Sequence, residues 1–355
     1  MHDLPHDSHY MQLPREVLIG NNVAKFVGET LKRLSFTGPA LVVTGPTVMS
    51  VAANVVMESL RQSGLKSQTI IAESATTEQV DAVQREIERV KPDIVVGVGG
   101  GKDIDIAKLS SMKSGKRFVS VPTAASHDGI ASPVVSMKGA DRPYSYVAHS
   151  PIAIVADTSI IARSPYRLIA SGCGDVVAKY TAVRDWKLAH RIKNEYYGDY
   201  AAELALMSSR LVIKNANVIK AMSTSGVHTL VEALISCGVA MSIAGTSRPC
   251  SGAEHLFSHA LTMIAPRPAL HGEQCGVGTI MCAYLHGANW QLIRDVLHRI
   301  GAPTTSKELG IDPEYIVQAL TKAHSIRPER YTILGESGLT TEAAQKVASI
   351  TGVIS

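Results

Sequence analysis

The feature that most constrains the fold is a nearly unbroken apolar run at residues 93–98 (DIVVGV), which leads directly into Gly99–Gly101. A strand that is apolar at every position, rather than at every second one, is typical of a parallel sheet covered on both faces. Apolar residues at helical spacing follow and predict a helix from about Ile104 to Lys113. The sequence therefore predicts a buried parallel strand, a glycine loop and a helix in succession.

The same kind of element recurs through the first half of the chain. Short β-rich runs predict further strands at residues 40–44, 68–72, 117–121 and 152–157, and apolar residues at helical spacing lie between the earlier ones. Alternating elements of these lengths favour a parallel sheet with helices on both sides.

The second half has a different character, because strand signals nearly vanish after residue 157. Long stretches rich in alanine and leucine predict buried helices at about 174–192, 196–221, 225–245, 252–263 and 272–290. The Ser164-Pro165 pair breaks the pattern between the halves. The predicted fold class is α/β plus all-α: a Rossmann-like parallel-sheet domain over residues 1–163, with residues 1–10 as a disordered leader, followed by a helical domain over residues 164–355.

Composition and charge argue against some classes of function. The 355 residues are 45% hydrophobic and carry a net charge of +4, without a Lys/Arg cluster interleaved with aromatics. A nucleic-acid role is therefore unsupported, while an anionic small substrate suits the balance. The cysteines are odd in number, form no Cys-x-x-Cys pair and predict a reduced, cytoplasmic protein. No apolar run is long enough to cross a bilayer, and a homo-oligomer is the common case for such proteins.

The glycine loop is the first candidate site. Three glycines let the backbone approach a ligand closely, and the following helix offers free N–H groups, which suits a pyrophosphate. The loop matches neither the G-x-G-x-x-G fingerprint nor a P-loop, so a tight connector is the alternative. Small hydroxyl residues in the loop of residues 122–133 could also contact a cofactor, although ordinary turn chemistry favours the same residues. Asp128 in that loop is the residue we select as functional.

A metal site is predicted in the helical half. Asp175 follows Gly174, His255 and His259 are four residues apart on one helical face, and His271 begins the next helix after a proline break. One carboxylate and two imidazoles with open positions suit Zn²⁺ or a similar divalent ion. Satisfied core histidines are the alternative. We interpret the neighbouring Cys173, Cys250 and Cys275 as packing residues, since thiolates with histidine usually mark closed structural sites.

These motifs together resemble the superfamily of iron-containing alcohol dehydrogenases, glycerol dehydrogenases and 3-dehydroquinate synthases, over nearly the whole chain. The segment TAASHDG at residues 123–129 resembles the form that this loop takes in the glycerol-1-phosphate dehydrogenase family, mostly archaeal enzymes that make the glycerol phosphate backbone of membrane lipids. Gly99–Gly101 with Asp105 and Lys108 resembles the superfamily's glycine motif.

The resemblance implies specific site residues. It implies NAD or NADP contacts from Gly99, Gly100, Gly101, Lys102, Asp103, Ile104, Asp105, Thr123, Ala124, Ala125, Ser126 and Ser132. It implies a divalent metal, Zn²⁺ in the first instance, held by Asp175, His255 and His271. It implies catalytic or substrate contacts from Asp128, Asp175 and His259. In the iron alcohol dehydrogenases a further histidine lies four residues after the aspartate, whereas this chain has Lys179 there.

The function that the resemblance implies is the metal-dependent, reversible reduction of dihydroxyacetone phosphate by NAD(P)H to sn-glycerol 1-phosphate. A glycerol dehydrogenase acting on the unphosphorylated polyol is one alternative, since no phosphate pocket can be assigned: Lys179, Arg248 and Arg267 are only nearby in sequence. The others are a lyase that uses NAD transiently, as a dehydroquinate synthase does, and a catalytically silent metal-binding protein.

Overall fold

The first half of the chain forms one six-stranded parallel sheet. The computed structural model describes residue 9, residues 11–138 and residues 143–355, so the predicted leader lies outside the described residues apart from His9. The strands follow the spatial order β1-β8-β5-β4-β2-β3, with these bounds: β1 Glu16–Gly20, β2 Ala40–Thr44, β3 Ser67–Ile71, β4 Ile94–Gly99, β5 Arg117–Pro122 and β8 Ala153–Asp157. All pairs in this sheet are parallel.

The helices of the first half cover both faces of the sheet, as predicted. They are α1 Val27–Arg33, α2 Pro46–Val48, α3 Asn54–Gln62, α4 Thr77–Val90 and α5 Gly101–Lys113, with short 3₁₀ turns at Ala24–Phe26 and Asp128–Ile130 and a π-helical turn at Met49–Ala53. Every residue of β2 and β4 is buried. Alternate residues of β2 join two different apolar clusters, with Leu41 in one and Val42 in the other. This two-sided burial explains why those strands are apolar throughout.

Three strands, in two separate pairings, were not predicted from the sequence. β1 lies at the edge of the sheet and pairs with β8, far away in the chain, so local periodicity carries little signal for it. β6 (Val134–Lys138) and β7 (Pro143–Val147) form an antiparallel pair outside the main sheet. Local sequence patterns alone do not reveal either pairing.

The second half is helical, which confirms the predicted fold class. Its elements are α6 Thr158–Ile161, α7 Tyr166–Val177, α8 Lys179–Lys193, α9 Asp199–Lys214, α10 Ala216–Lys220, α11 Thr224–Ala244, α12 Ala253–Ile264, α13 His271–Leu285, α14 Trp290–Ile300, α15 Ser306–Leu309, α16 Pro313–Ile326 and α17 Thr341–Ile350. The predicted boundary between residues 163 and 164 falls between α6 and α7 and stays a prediction. One apolar cluster contains residues of both halves, such as Val95 and Leu234.

Several predicted helices are interrupted in the structure. The single helix predicted over 272–290 ends at Leu285 and a new one begins at Trp290. Gly287 lies between them with φ at +61°, a left-handed conformation that glycine adopts without strain and that commonly ends helices. The helix predicted over 174–192 begins earlier, at Tyr166, and is divided at Ala178 into α7 and α8.

Contrary to our expectation from the sequence, the longest helix, α11, is apolar and long enough by composition to cross a membrane. However, 67% of its most apolar 18-residue window is buried inside the protein. The helix packs against α9 and α7 and reaches the 3₁₀ turn at Asp128–Ile130. We therefore describe α11 as a core helix of the second half.

Glycines bring α7 and α13 into unusually close contact. A Cβ atom added at Gly174 would lie 2.2 Å from the carbonyl oxygen of Gly272, and one added at Gly272 would lie 1.9 Å from the carbonyl oxygen of Ser171. Asp175 and His271 are the chain neighbours of these two glycines. The close backbone approach therefore places both side chains at the same helix contact.

We expect Gly174→Ala to lower the free energy of unfolding by about 1–3 kcal/mol, because the new methyl group would force α7 and α13 apart. Gly276→Ala in α13 is the matched control, since its nearest new neighbours would lie at 3.4 Å. The control should leave stability unchanged or raise it through better helix propensity. Urea unfolding of both variants measures the difference. A wild-type midpoint for Gly174→Ala would contradict the argument.

Candidate active site

Four side chains from three helices converge where α7, α12 and α13 meet. Asp175, His255, His271 and Cys275 each offer one ligand atom, and these atoms all lie within 4.8 Å of one another. Asp175 Oδ1 is 3.4 Å from His255 Nε2 and 3.9 Å from His271 Nε2. We predicted Asp175, His255 and His271 as metal ligands from the sequence, and the structure places their donor atoms in one cluster.

Cys275 differs from our expectation. We interpreted it as a packing residue, yet its Sγ lies 3.5 Å from His271 Nε2, one helical turn away in α13. Burial opposes ionisation of this thiol, but the neighbouring His255 and His271 outweigh burial and lower the pKa of Cys275 to about 6. Cys275 is therefore a fourth possible donor. Cys173 and Cys250 are buried, and neither belongs to this donor group.

Each histidine of the cluster is held through its second ring nitrogen. His255 Nδ1 is 2.8 Å from Glu254 Oε1, and His271 Nδ1 is 3.2 Å from Ser258 Oγ. Glu254 is itself fully buried and accepts hydrogen bonds from Thr181 Oγ1 at 2.7 Å and from the backbone N–H of Gly252 at 2.6 Å. A carboxylate on Nδ1 fixes the tautomer in which Nε2 is free to bind a metal.

A buried ammonium group joins the two candidate catalytic carboxylates. Lys179 Nζ lies 2.7 Å from Asp128 Oδ2 and 3.1 Å from Asp175 Oδ1, and the side chain has no exposed surface. The backbone N–H of Asp128 also donates to Asp175 Oδ2 at 2.9 Å. Burial disfavours the charged forms, but the opposite charges outweigh it, so the pKa of Asp175 lies well below and that of Lys179 well above its usual value.

His259 lies beside the donor group without belonging to it. Its ring centroid is 5.8 Å from that of His271, and the residue is half-buried. Burial and the positive charges of His271 and His255 hold the pKa of His259 well below its usual range. His259 therefore lies at the edge of the donor cluster, and its contact with a substrate stays a prediction.

A cleft of about 880 Å³ extends from the glycine loop to His271. Seven of the predicted cofactor contacts line it: Gly100, Gly101, Lys102, Asp103, Thr123, Ala124 and Ser126. Gly100 is the N-cap of α5, and a Cβ atom there would meet nothing within 4 Å. The loop therefore leaves open space at the N-terminus of a 13-residue helix, as a pyrophosphate requires.

The other five predicted cofactor contacts do not line this cleft. They are Gly99, Ile104, Asp105, Ala125 and Ser132. Asp105 instead accepts hydrogen bonds from Lys108 Nζ at 3.3 Å and from the backbone N–H of Ser136 at 3.0 Å. Ser132 Oγ donates to the carbonyl of Val134 at 3.1 Å. Their contact with a cofactor stays a prediction.

Lys108, in the helix after the glycine loop, contacts the segment that follows Asp128. Its buried ammonium group donates to the carbonyls of Gly129 and Val134, at 2.8 and 2.9 Å. These carbonyls belong to the loop and strand that follow Asp128. Lys108 therefore fixes the loop that carries Asp128 relative to α5.

The donor set and the cleft fit a divalent metal and a dinucleotide. One carboxylate and two imidazoles in a buried cluster provide the oxygen and nitrogen donors typical of catalytic zinc or iron sites. The cleft connects this cluster, through His271, to the glycine loop. A sheet-bearing half with a glycine loop and a helical half with a group of possible metal donors are together typical of one class of nicotinamide dehydrogenases.

Comparison with known proteins specifies the class further. The family model for iron-containing alcohol dehydrogenases matches residues 18–165. A glycerol-1-phosphate dehydrogenase named for NAD(P)+, from Methanothermobacter thermautotrophicus, is 54% identical over 348 residues, which cover 98% of this chain and 100% of the relative. The same-named protein of Thermococcus kodakarensis is 54% identical, covering 98% of this chain and 99% of the relative. The chain therefore belongs to the glycerol-1-phosphate dehydrogenase family.

Solved structures confirm the fold. A probable glycerol dehydrogenase from Sinorhizobium meliloti has a TM-score of 0.79 at 19% identity, with 97% of this chain and 98% of that chain covered. Glycerol dehydrogenase from Schizosaccharomyces pombe has a TM-score of 0.79 at 20% identity, with 97% and 90% covered. At this identity the likeness is evidence for the fold alone.

Sequence reasoning missed the residues that hold the predicted ligands. Glu254 stands next to His255 in the sequence, but its role depends on Thr181, which lies in α8. Arg167 binds Glu273 through two hydrogen bonds of 2.7 Å, and Glu273 accepts the N–H of Leu270 at the start of α13. The one local signal for these contacts was that Glu254 directly precedes His255 in the sequence.

We expect Glu254→Gln to weaken divalent metal binding about 10- to 100-fold, because the neutral amide no longer fixes the His255 tautomer as strongly. Titration with Zn²⁺ against a competing chelator measures the affinity. Glu232→Gln is the matched control, since Glu232 pairs with the exposed His228 at 3.2 Å on α11. Unchanged zinc affinity in the Glu254 variant, with the fold intact, would refute this role.

Proposed function

We propose that this protein catalyses the reversible reduction of dihydroxyacetone phosphate to sn-glycerol 1-phosphate with NADH or NADPH. The observation that carries the proposal is the donor cluster of Asp175, His255 and His271 at the end of a cleft that begins at the glycine loop. Relatives named for this activity, with 54% identity over nearly the full chain, support the same substrate.

Asp175, His255 and His271 would hold the divalent metal, Zn²⁺ in the first instance. When bound there, the metal supplies Lewis-acid polarisation of a substrate oxygen, and the nicotinamide supplies or accepts the hydride. The N–H groups at the start of α5, with Gly100 and Gly101, would bind the pyrophosphate of the cofactor. Thr123, Ala124 and Ser126 line the same cleft and leave room for it.

The chain's own side chains would position the substrate and its proton. The Asp128 carboxylate, held by Lys179 at 2.7 Å, is available to accept a hydrogen bond from a substrate hydroxyl. His259 is the candidate for hydrogen bonding to the reacting oxygen and for moving its proton. Lys179 keeps Asp128 next to Asp175, so that substrate and metal donors are aligned.

The sequence departs from the iron alcohol dehydrogenase branch of the superfamily at residue 179. Lys179 stands where the iron alcohol dehydrogenases have a histidine, and its ammonium group is already engaged by two carboxylates. It therefore does not act as a ligand. The second candidate function is a lyase that uses NAD transiently, and an assay of net NADH or NADPH oxidation distinguishes the two.

We further propose that the product supplies the glycerophosphate backbone of archaeal-type membrane lipids. This physiological role follows from the reaction and from the relatives, several of which come from archaeal species of Methanothermobacter and Thermococcus. The cytoplasmic location and the homo-oligomeric state expected from the sequence stay predictions. All five cysteines are buried as free thiols, in keeping with a reducing compartment.

The decisive assay follows NADH and NADPH absorbance with zinc-loaded protein. We expect NADH or NADPH to be oxidised rapidly when dihydroxyacetone phosphate is added, and much more slowly when unphosphorylated dihydroxyacetone is added. Preference for the unphosphorylated ketone would instead make the protein a glycerol dehydrogenase. No net oxidation with either ketone, despite bound cofactor, would favour the lyase.

Chelation tests the metal requirement separately. We expect the enzyme to lose activity on dialysis against a chelator and to regain it on addition of Zn²⁺. His255→Ala should lower zinc stoichiometry in the purified protein, measured by elemental analysis, because it removes one nitrogen donor. His228→Ala, an exposed histidine on α11, is the control. A metal-free protein with full activity would overturn the metal-dependent mechanism.

A further inference from the structure

One buried carboxylate in the cleft has an oxygen that no hydrogen bond satisfies. Asp103, in the first turn of α5, is 4% exposed and lines the cleft that begins at the glycine loop. Among the described residues, its Oδ1 has no hydrogen-bond partner. Burying a carboxylate oxygen without a donor is costly, so such an oxygen in a ligand cleft indicates that the ligand supplies the donor.

The Asp103 carboxylate lies over the carboxyl ends of two neighbouring strands. A Cβ atom added at Gly45, which directly follows β2, would be 3.0 Å from Asp103 Oδ1. A Cβ atom added at Gly99, the last residue of β4, would be 2.1 Å from Asp103 Oδ2. β2 and β4 are adjacent and parallel in the sheet. Asp103 therefore fills the space that a side chain at residue 45 would otherwise take.

The end of β2 is where the adenosine ribose of a dinucleotide is expected. In dinucleotide-binding sheets, the strand beside the glycine strand ends in an acidic side chain that binds the ribose 2′-hydroxyl. Here residues 45–50 (GPTVMS), which follow β2, contain no acidic residue, although Thr47 and Ser50 line the cleft. Glu73, which follows the next strand outward, is exposed and does not line the cleft. Among the described residues that line the cleft, Asp103 is the one carboxylate.

Two permanently charged cations also line the cleft, and their positions bear on a cofactor with a 2′-phosphate. Lys102 Nζ donates to the carbonyls of Ala72 and Glu73 at 2.9 and 3.1 Å, and it lies 3.4 Å from Asp103 Oδ1. Burial raises the pKa of Asp103, and the charge of Lys102 opposes that shift. Arg163 comes after β8, which lies on the side of β4 away from β2. Lys102 is therefore engaged at the end of β3, and Arg163 enters the cleft from the opposite side.

We propose that Asp103 accepts a hydrogen bond from the adenosine ribose of the cofactor and thereby makes the protein prefer NADH to NADPH. The proposal rests on the function proposed above in taking the cleft as the site of a nicotinamide dinucleotide. A ribose 2′-hydroxyl donates the hydrogen bond that Asp103 Oδ1 lacks within the protein. A 2′-phosphate instead brings negative charge against a carboxylate that is shielded from water, where the repulsion is strong.

The alternative role of Asp103 is structural. A carboxylate in the first turn of a helix interacts favourably with the positive end of the helix dipole, so its replacement would lower the stability of the loop. Such a loss would weaken the binding of NADH and NADPH by the same factor. The ratio of the two dissociation constants therefore separates a role in cofactor choice from a structural one.

The first measurement titrates the protein with NADH and with NADPH in the absence of ketone, followed by nicotinamide fluorescence. We expect the wild type to bind NADH about 10- to 100-fold more tightly, as one charged hydrogen bond implies. Asp103→Asn keeps the size of the side chain but removes its charge, and should abolish most of this preference. Asp81→Asn, a change at an exposed acid of α4 that lies 3.9 Å from Lys113, is the matched control and should keep the wild-type ratio.

A second pair of variants moves the carboxylate to the end of the neighbouring strand. Gly45 has φ at −86° and ψ at 160°, an extended conformation that aspartate adopts without strain. In Gly45→Asp/Asp103→Ser the new carboxylate would stand at the end of β2, in space that the shorter side chain at residue 103 vacates. We expect Asp103→Ser alone to lose the preference for NADH and the double variant to regain it.

The binding experiment separates this proposal from the proposed function. A wild type that prefers NADH to NADPH but reduces neither ketone would refute the proposed function and leave the ribose contact in place. Equal or tighter binding of NADPH by the wild type would overturn the ribose contact, as would an unchanged ratio in both Asp103→Asn and Asp103→Ser. A wild type that binds neither nucleotide would overturn both proposals.

Discussion

The site depends on the burial of one carboxylate, that of Asp175. A carboxylate without exposed surface is tolerated only when hydrogen bonds and opposite charges compensate it. Its Oδ2 accepts the N–H of Asp128, from the loop after β5, and its Oδ1 accepts from Lys179 in α8. The same Oδ1 faces His255 in α12. The sheet-bearing half and two helices of the second half are thus tied to a single side chain.

A second buried carboxylate performs a related task at a distance from the donor atoms. Asp185 accepts the N–H of Ala253 at 2.7 Å and lies 3.0 Å from His286 Nε2. The first contact satisfies one of the free N–H groups at the start of α12. It also places a negative charge at the positive end of the helix dipole, which is stabilising. The orientation of His255 and His259 therefore depends on Asp185, although Asp185 does not reach the donor cluster.

The sequence was informative wherever the signal was local. Continuous apolar runs predicted β2 and β4 within one residue at each end, and histidines four apart predicted a shared helical face for His255 and His259. Contacts that arise only on folding were not predictable. The hydrogen bond from Thr181 to Glu254 joins residues 73 positions apart, and β1 is defined by its pairing with β8. We interpret Cys275 from the sequence as a packing residue, because thiolates with histidine usually mark closed structural sites. In the structure its position one turn after His271 places its Sγ 3.5 Å from His271 Nε2.

The charge of the site favours a substrate that is itself an anion. Asp128 and Asp175 share the Lys179 ammonium, so much of their negative charge is already neutralised before a metal binds. A dication held by Asp175 and two neutral imidazoles would then leave the region positive. Neutral glycerol would gain less from this field than a phosphate ester would. A phosphate dianion would be attracted by that net positive charge.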